Sequence, residues 1–288
     1  TLIVKMVRSL LKKFQNSIYK ILLLHVHLKA RYKKILFTKS ECMIIVITFN
    51  NIDILKIQHS YLKKFLLDPY DFVVADNSSN SGDAKKIQLF CEQNNISYVR
   101  LPWNPLTGVR ASGSHGIALN WCYSNIIRKI KPKYFGFLDH DIFPVVNTTI
   151  LNKIKIGLWG AVRTRKEDYW YLWPGFCFFD FKTFKDYRFN FFPFHGGKDG
   201  DIFLDTGGSN YNTIYHDIKR NEIDEAISVL VNLDTEKVLQ KGEDSKNTFE
   251  IIDHSWLHLR QIAWRKESHT KFQDKEKILQ CAYAHIRN

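Results

Sequence analysis

The sequence predicts an α/β fold with a mainly parallel central sheet and flanking helices, and three observations carry that prediction. From residue 42 to residue 144, short apolar runs alternate with stretches of helical periodicity. The runs are continuous rather than alternating, as in strands covered on both faces. Each also ends in polar or acidic residues, at the strand ends where open α/β sheets bind their ligands.

Met43–Thr48 (MIIVIT) is the first such run, and Asn50-Asn51 open a helical stretch through Leu66. Phe72–Ala75 (FVVA) is the second strand, ending in the loop Asp76–Gly82. Asp83–Asn94 reads as a helix, Ile96–Leu101 as a third strand and Ser112–Ile130 as a longer helix. Tyr134–Leu138 (YFGFL) is a fourth strand, running straight into Asp139. Beyond Pro144 the rhythm loosens. Strands are expected at Leu158–Val162, Tyr169–Leu172 and Phe176–Phe181, and a Gly- and Pro-rich loop at Phe191–Gly200. A helix entered at Asp205-Thr206-Gly207-Gly208 is expected to reach about Lys219, with another over Glu222–Leu233.

The 288 residues are 45% hydrophobic and 25% charged, a globular balance that argues against disorder. The aromatic share of 14% suits a bulky core or stacking faces for bases and sugars. Net charge is +13, which attracts phosphate-rich partners. Residues 1–40 hold ten Lys or Arg and no Asp or Glu, so most of the excess belongs to that segment. There Leu10, Leu11, Phe14, Ile18, Ile21 and Leu22 recur at three- and four-residue steps, between Lys12, Lys13 and Lys20. One or two basic amphipathic helices follow from that spacing. Such a helix lies on an anionic membrane surface or packs against its own domain, and both readings stay open.

No stretch approaches the ~18 apolar residues of a membrane span. The run Ile21–Leu24 is short for a signal peptide. Five scattered cysteines without CxxC spacing fit reduced thiols better than a disulfide framework or a zinc cluster. The expected location is the cytoplasm, with residues 1–40 as a peripheral contact on the cytoplasmic face of a membrane. No helix-turn-helix, zinc-finger or RNP-like pattern points to specific nucleic-acid recognition.

Asp139-His140-Asp141 is the most informative triplet. Packing does not explain two carboxylates one residue apart directly after an apolar strand. Hard divalent cations such as Mn²⁺ and Mg²⁺ take oxygen ligands and keep open positions for phosphate oxygens. At a strand end, D-x-D spacing lets one carboxylate bind the metal while the other binds it too or reaches a ribose or metal-bound water.

Thr48-Phe49-Asn50-Asn51 follows the first strand, Asp76-Asn77-Ser78-Ser79 the second and D-x-D the fourth. In that order they resemble the GT-A nucleotide-sugar transferases, in particular the family 2 glycosyltransferases, over roughly Ile44 to Pro144. The resemblance implies a GT-A fold, with Asp76 facing the nucleobase and Thr48 and Asn50 lining the nucleotide pocket. Asn77 and Asp139 join the nucleotide-binding set. Asn104–Gly113 resembles the family segment with an Asn, small residues and a helix start near the donor. Arg110 there pairs with the diphosphate or is simply an exposed arginine.

The same resemblance asks for a carboxylate base beyond the D-x-D, to take the acceptor's proton during an inverting attack. Asp205 is the first candidate, before Asp199 and Asp201, and helix capping explains Asp205 equally well. The family's usual Glu-Asp pair is absent. Trp173 and Gly175 lie where such enzymes place an acceptor-facing strand and turn. His254 is the candidate third metal ligand, with His258 the alternative; the two would share one face of a helix.

Residues 41–288 then form a GT-A catalytic domain, with a nucleotide-binding half over 41–144 and an acceptor half over 145–288. The implied reaction is transfer from a nucleoside-diphosphate sugar, UDP-sugar by default, to a hydroxyl of a cell-surface glycan or lipid-linked acceptor, with Mn²⁺ or Mg²⁺ and with inversion. One alternative is a sugar nucleotidyltransferase, although Asn50–Ile57 lacks its Gly-rich basic signature. Another is a non-enzymatic basic protein that binds membrane or nucleic acid.

Overall fold

The apolar runs become neighbouring strands because each can be covered on both faces. The computed structural model describes residues 2–36, 40–166, 169–197, 200–240, 247–260 and 275–287. Helix α1 (Leu2–Leu22) leads to β1 (Tyr32–Lys34), β2 (Cys42–Thr48), α2 (Ile52–Phe65), β3 (Tyr70–Asp76), α3 (Ser81–Gln93) and β4 (Ser97–Arg100). Helix α4 (Ala111–Cys122) continues through a π turn to Ile130 and hands over to β5 (Tyr134–Asp139) and β6 (Ile142–Pro144). Then come β7 (Leu158–Lys166), β8 (Tyr169–Asp180), β9 (Phe194–Gly196) and β10 (Ile202–Leu204). The last described elements are β11 (Ser228–Asn232), β12 (Thr248–Ile252), β13 (Trp256–His258) and α5 (Lys275–Arg287).

Seven strands form the main sheet in the order β1-β4-β3-β2-β5-β8-β7. Its centre, β4-β3-β2-β5, is parallel, and β1, β8 and β7 are added antiparallel at the edges. The fold is mixed α/β with flanking helices. Ile45 and Ile47 of β2 face Leu119, Cys122 and Ile126 from α4 and its π turn. Ile44 and Val46 face Leu55 and Leu62 of α2 and Ile87 of α3. Burying each such side chain contributes about 1.5–3 kcal/mol. Strand order turns around between β2 and β5, so the crevice at their carboxyl ends is where a ligand fits such a sheet.

A second, antiparallel sheet runs β11-β12-β13-β6. The chain leaves β5 at Asp139 and enters β6 at Ile142, so one short turn joins the two sheets.

Several elements depart from the sequence expectations. Asp205–Gly208 does not start a helix to Lys219. It forms a turn, followed by one short helix at Asn210–Thr213 and a 3-10 turn at Tyr215–Asp217. Gly207 has φ +86°, and a Cβ there would lie 2.5 Å from Cγ of Pro174, so close packing on β8 overrides helix propagation. Residues 222–233 are not helical either. The β-branched Val229 and Val231 pair with β12 as part of β11. Tyr169–Leu172 and Phe176–Phe181 merge into the single strand β8, with a bulge because Pro174 cannot donate to the ladder. The expected loop Phe191–Gly200 contains β9, paired with β10.

Residues 1–36 are not helical throughout, because β1 joins the main sheet beside β4. Helix α1 docks through an unexpected face. Tyr19 stacks on Phe192 with ring centres 4.7 Å apart, and the Asn16 amide donates to the Phe194-His195 strand at the His195 carbonyl, 3.2 Å away. The 3-10 turn Leu23–His27 is held by His25 against the Trp103 carbonyl at 2.6 Å. Leu10, Leu11, Ile18 and Ile21 of α1 instead face outward.

Gly160 of β7 tests the sheet's packing. A Cβ there would lie 2.4 Å from the Phe176 carbonyl oxygen and 2.8 Å from Cα of Cys177. Backbone cannot yield as a side-chain tip can, so Gly160→Ala is expected to destabilise the protein by about 1–3 kcal/mol, read from its urea midpoint.

Candidate metal centre

Three elements fix the Asp139-His140-Asp141 turn before any ligand arrives. Gln58 of α2 is fully buried and its amide donates to the Asp139 carbonyl at 2.8 Å and the Ile142 carbonyl at 2.7 Å. The His140 ring nitrogen Nδ1 lies 3.3 Å from the Ile47 carbonyl of β2. The Leu259 N–H, just past β13, donates to the Asp141 carbonyl at 3.0 Å.

Register supplies the third ligand-capable residue. His258 of β13 pairs with Ile142 of β6, which puts its ring beside Asp141. Nε2 of His258 stands 3.6 Å from Oδ2 of Asp141, and one ligand-capable atom from each of Asp139, Asp141 and His258 falls within 4.8 Å of the others. Two atoms each about 2.1 Å from one cation are themselves about 3.0–3.4 Å apart, so slight closure completes the set.

The expected third ligand, His254, lies elsewhere. It is exposed at φ +50° on the turn between β12 and β13. His254 and His258 share no helical face, because Ile251-Ile252 and Trp256–His258 are the arms of a hairpin.

Beside His258, Nδ1 is 2.8 Å from Oε2 of Glu250, its cross-strand partner on β12. That contact places the proton on Nδ1 and turns the Nε2 lone pair toward Asp141. Arg163 of β7 grips Glu250 with two hydrogen bonds, 2.8 and 3.0 Å. Burial disfavours the Glu250 charge, but the His258 hydrogen bond and Arg163 outweigh it and hold the carboxyl well below the usual range. Burial alone would also lower the His258 imidazole, yet Asp141 and Glu250 raise it. For Asp141, burial pushes the carboxyl above the ordinary range; Asp139 adds to the push, while His258 and His140 oppose it.

Asp141 is 2% exposed, and its Oδ2 accepts no hydrogen bond among the described residues. A buried carboxylate oxygen without a donor is costly unless a cation or proton neutralises it. The donor set, two carboxylates and an imidazole with its own carboxylate partner, fits a divalent cation.

Around this cluster, His115 on the early part of α4 sits with Nε2 3.5 Å from Oδ1 of Asp139. Trp173 lies against His258 with ring centres 5.0 Å apart, and the Arg163 guanidinium covers the indole at 4.5 Å. Gly175 serves Trp173 directly, since a Cβ there would meet the indole at 2.2 Å. Asp205 is half-buried. Its carboxylate accepts the Thr206 N–H at 2.8 Å, and the Thr206 hydroxyl donates to the Ser112 carbonyl of α4 at 3.2 Å. The Asp205 turn thus spans β8 and the first turn of α4. Asp201 is exposed just before β10, and Asp199 lies outside the described residues.

The nucleotide candidates separate. Thr48 is fully buried at the end of β2, and its hydroxyl finds no hydrogen-bond partner among the described residues. Asn50, at φ +51°, ties two loops by donating to Ser79 at 2.8 Å and accepting the Asn80 N–H at 3.1 Å. Asn77 belongs to a buried network with Asn104 and Ser114, at 3.0 Å to each. Asp76, expected to face a nucleobase, closes the second strand. It is fully buried, accepting the Ser78 N–H at 2.9 Å and the Tyr98 hydroxyl at 2.7 Å, with Arg100 at 3.4 Å. Arg110 is exposed and lies 3.5 Å from the Tyr19 hydroxyl, toward α1.

Sequence reasoning missed Gln58, His115 and Glu250. His115, soon after the Gly-containing helix start, carried a faint signal; Gln58 and Glu250 carried none.

The sequence matches no protein-family profile and no curated protein. Among solved structures, it is similar to the mannosyltransferase PcManGT from Pyrobaculum calidifontis in complex with GDP-Man and Mn²⁺, at 13% identity and TM-score 0.38. That likeness covers 64% of this chain and 56% of the other. It is also similar to S. aureus TarS, at 17% identity and TM-score 0.32 over 50% of this chain and 29% of TarS. TarS in complex with UDP-GlcNAc gives 13% identity and TM-score 0.26, over 44% and 38% of the two chains. At these values the likeness assigns no residue and no reaction to this chain.

Titration calorimetry with Mn²⁺ checks the centre. Glu250→Gln is expected to weaken binding about 10–100-fold by releasing the imidazole, and His258→Ala to weaken it at least as much. His254→Ala leaves it unchanged.

Proposed function

We propose that this protein is a metal-dependent glycosyltransferase of the GT-A type. The observation that carries this reading is the Asp139–Asp141–His258 cluster at the carboxyl end of β5, beside the crevice where strand order reverses. The order of Thr48, Asp76 and D-x-D at the ends of β2, β3 and β5 supports it.

On this reading Asp139, Asp141 and His258 hold Mn²⁺ or Mg²⁺. Once bound, such an ion neutralises the charge of a departing nucleoside diphosphate. The protein contributes the rest. Arg110 caps α4 without a side-chain hydrogen bond, so first-turn N–H groups stay open to an anion. His115 stands one turn further on and orients Asp139 or a phosphate oxygen. Trp173 offers an indole beside the centre against which an acceptor sugar packs.

Asp205 is the proposed base. One of its oxygens caps the Thr206 turn, which leaves the other for the acceptor's hydroxyl proton. That hydroxyl oxygen forms the new bond to the anomeric carbon as the bond to the diphosphate breaks, with inversion. Resemblance to family 2 enzymes favours a UDP-sugar donor and a glycan or lipid-linked acceptor. Cytoplasmic location is part of the same proposal.

The test is turnover of UDP-, GDP-, CMP- and dTDP-sugars by the purified chain, with and without Mn²⁺. Asp141→Asn is expected to keep its circular dichroism spectrum and lose at least about 10²-fold in kcat/KM. Undiminished turnover in EDTA would overturn the reading. For Asp205→Asn, kcat for transfer is expected to fall about 10²–10⁴-fold while Mn²⁺ affinity holds.

A further inference from the structure

Helix α1 is amphipathic in an inverted sense. A helix docked on a globular body normally turns its apolar stripe inward. At 3.6 residues per turn, Leu10, Leu11, Phe14, Ile18 and Ile21 share an arc of about 100° on α1. That arc faces solvent: Leu10 is 58% exposed, Phe14 64% and Ile21 67%. The opposite arc makes contacts with the body through Tyr19 on Phe192 and Asn16 at His195, and the partly buried Leu22 and Leu23 add to the anchor at the helix end. The helix is therefore anchored, and its apolar ridge has no partner among the described residues.

The ridge continues beyond the helix. Leu24 is 64% exposed, and Trp103, whose carbonyl contacts His25 next to it, is 67% exposed. Exposed Lys13 and Lys20 run along one border of the ridge, and residues 1–40 carry ten basic side chains and no acidic one. An aqueous protein partner matches the apolar surface but not this one-sided charge. An anionic bilayer matches both, taking the Leu, Ile and Phe side chains between its lipids and the lysines at its headgroups. No described helix is long and apolar enough to cross a membrane, so the fit is to lying on the surface.

We propose that α1, with Leu24 and Trp103, is a docking surface for an anionic lipid bilayer. The same helix borders the candidate site, because Tyr19 packs beside Gly113, where a Cβ on Gly113 would lie 3.3 Å from its ring. Gly113 is two residues from His115. Docking through α1 thus brings the mouth of the site to the headgroup layer, within reach of an acceptor carried on a lipid. That last consequence rests on the glycosyltransferase reading; lipid binding itself does not.

The experiment is co-sedimentation of the full chain with vesicles of phosphatidylcholine alone or mixed with phosphatidylglycerol, at low and high salt. Binding is expected with the anionic vesicles and is expected to weaken with salt. Phe14→Glu combined with Ile21→Glu should reduce it at least about tenfold, and Lys13→Glu with Lys20→Glu should weaken both the binding and its salt dependence. Both variants are expected to keep the circular dichroism spectrum and turnover of soluble donor, since the altered side chains face solvent. Absence of the chain from the anionic pellet, or wild-type binding by the Phe14→Glu, Ile21→Glu variant, would overturn the proposal. So would a sedimentation-velocity dimer that this variant dissolves, which would make the ridge a contact between two copies. Donor turnover is read separately, so failure of lipid binding leaves the catalytic reading standing, and the reverse.

Discussion

The buried carboxylate of Asp141 is the constraint around which the site is organised. Burial raises the cost of its charge, and only its own backbone N–H, His258 and His140 offset that cost, while Asp139 adds to it. Such an arrangement is unfavourable on its own and favourable around a cation. The turn that presents it is rigid, because Gln58 binds the carbonyls at both ends and Leu259 binds the one between them. A turn held only at its ends would let the carboxylate swing to water.

From there the charges are arranged in alternation. Asp141 faces His258, His258 faces Glu250, and Glu250 is held by Arg163, whose guanidinium lies on Trp173. Each group compensates the desolvation of the next, and the indole closes the row on the side where an acceptor is proposed to enter. The row runs from the turn before β6 through β13, β12 and β7, so the position of the His258 ring and the pose of Trp173 are linked through two sheets.

Much of the parallel core was legible because its strands are unmixed apolar runs ended by polar turns, as Met43–Thr48 and Tyr134–Leu138 are. Asp139 and Asp141 stood out because nothing in packing calls for carboxylates after such a run. The second half hid its structure for a different reason. Its strands are short and pair over long separations, so Trp256–His258 reads as neither helix nor strand until β6 and β12 are beside it. His258 could not be preferred to His254 without that register. The burial of Asp76 was not legible, because it depends on Tyr98 and Arg100 of the next strand. The charge of residues 1–40 was plain, but the direction in which α1 faces depended on Phe192 and His195, far along the chain.

The single short turn between the two sheets has a consequence for how the molecule is assembled. Asp139 and Asp141 follow a strand of the parallel core, whereas His258 reaches them only through the pairing of β13 with β6, which also brings the Leu259 N–H to the Asp141 carbonyl. Joining those parts closes a loop of more than a hundred residues, a step whose entropy cost grows slowly with length but whose search is slow. On the proposed reading, a cation held by all three residues would act as a clasp on that closure. Its binding would then report a finished molecule, since a chain without the docked hairpin lacks the third ligand.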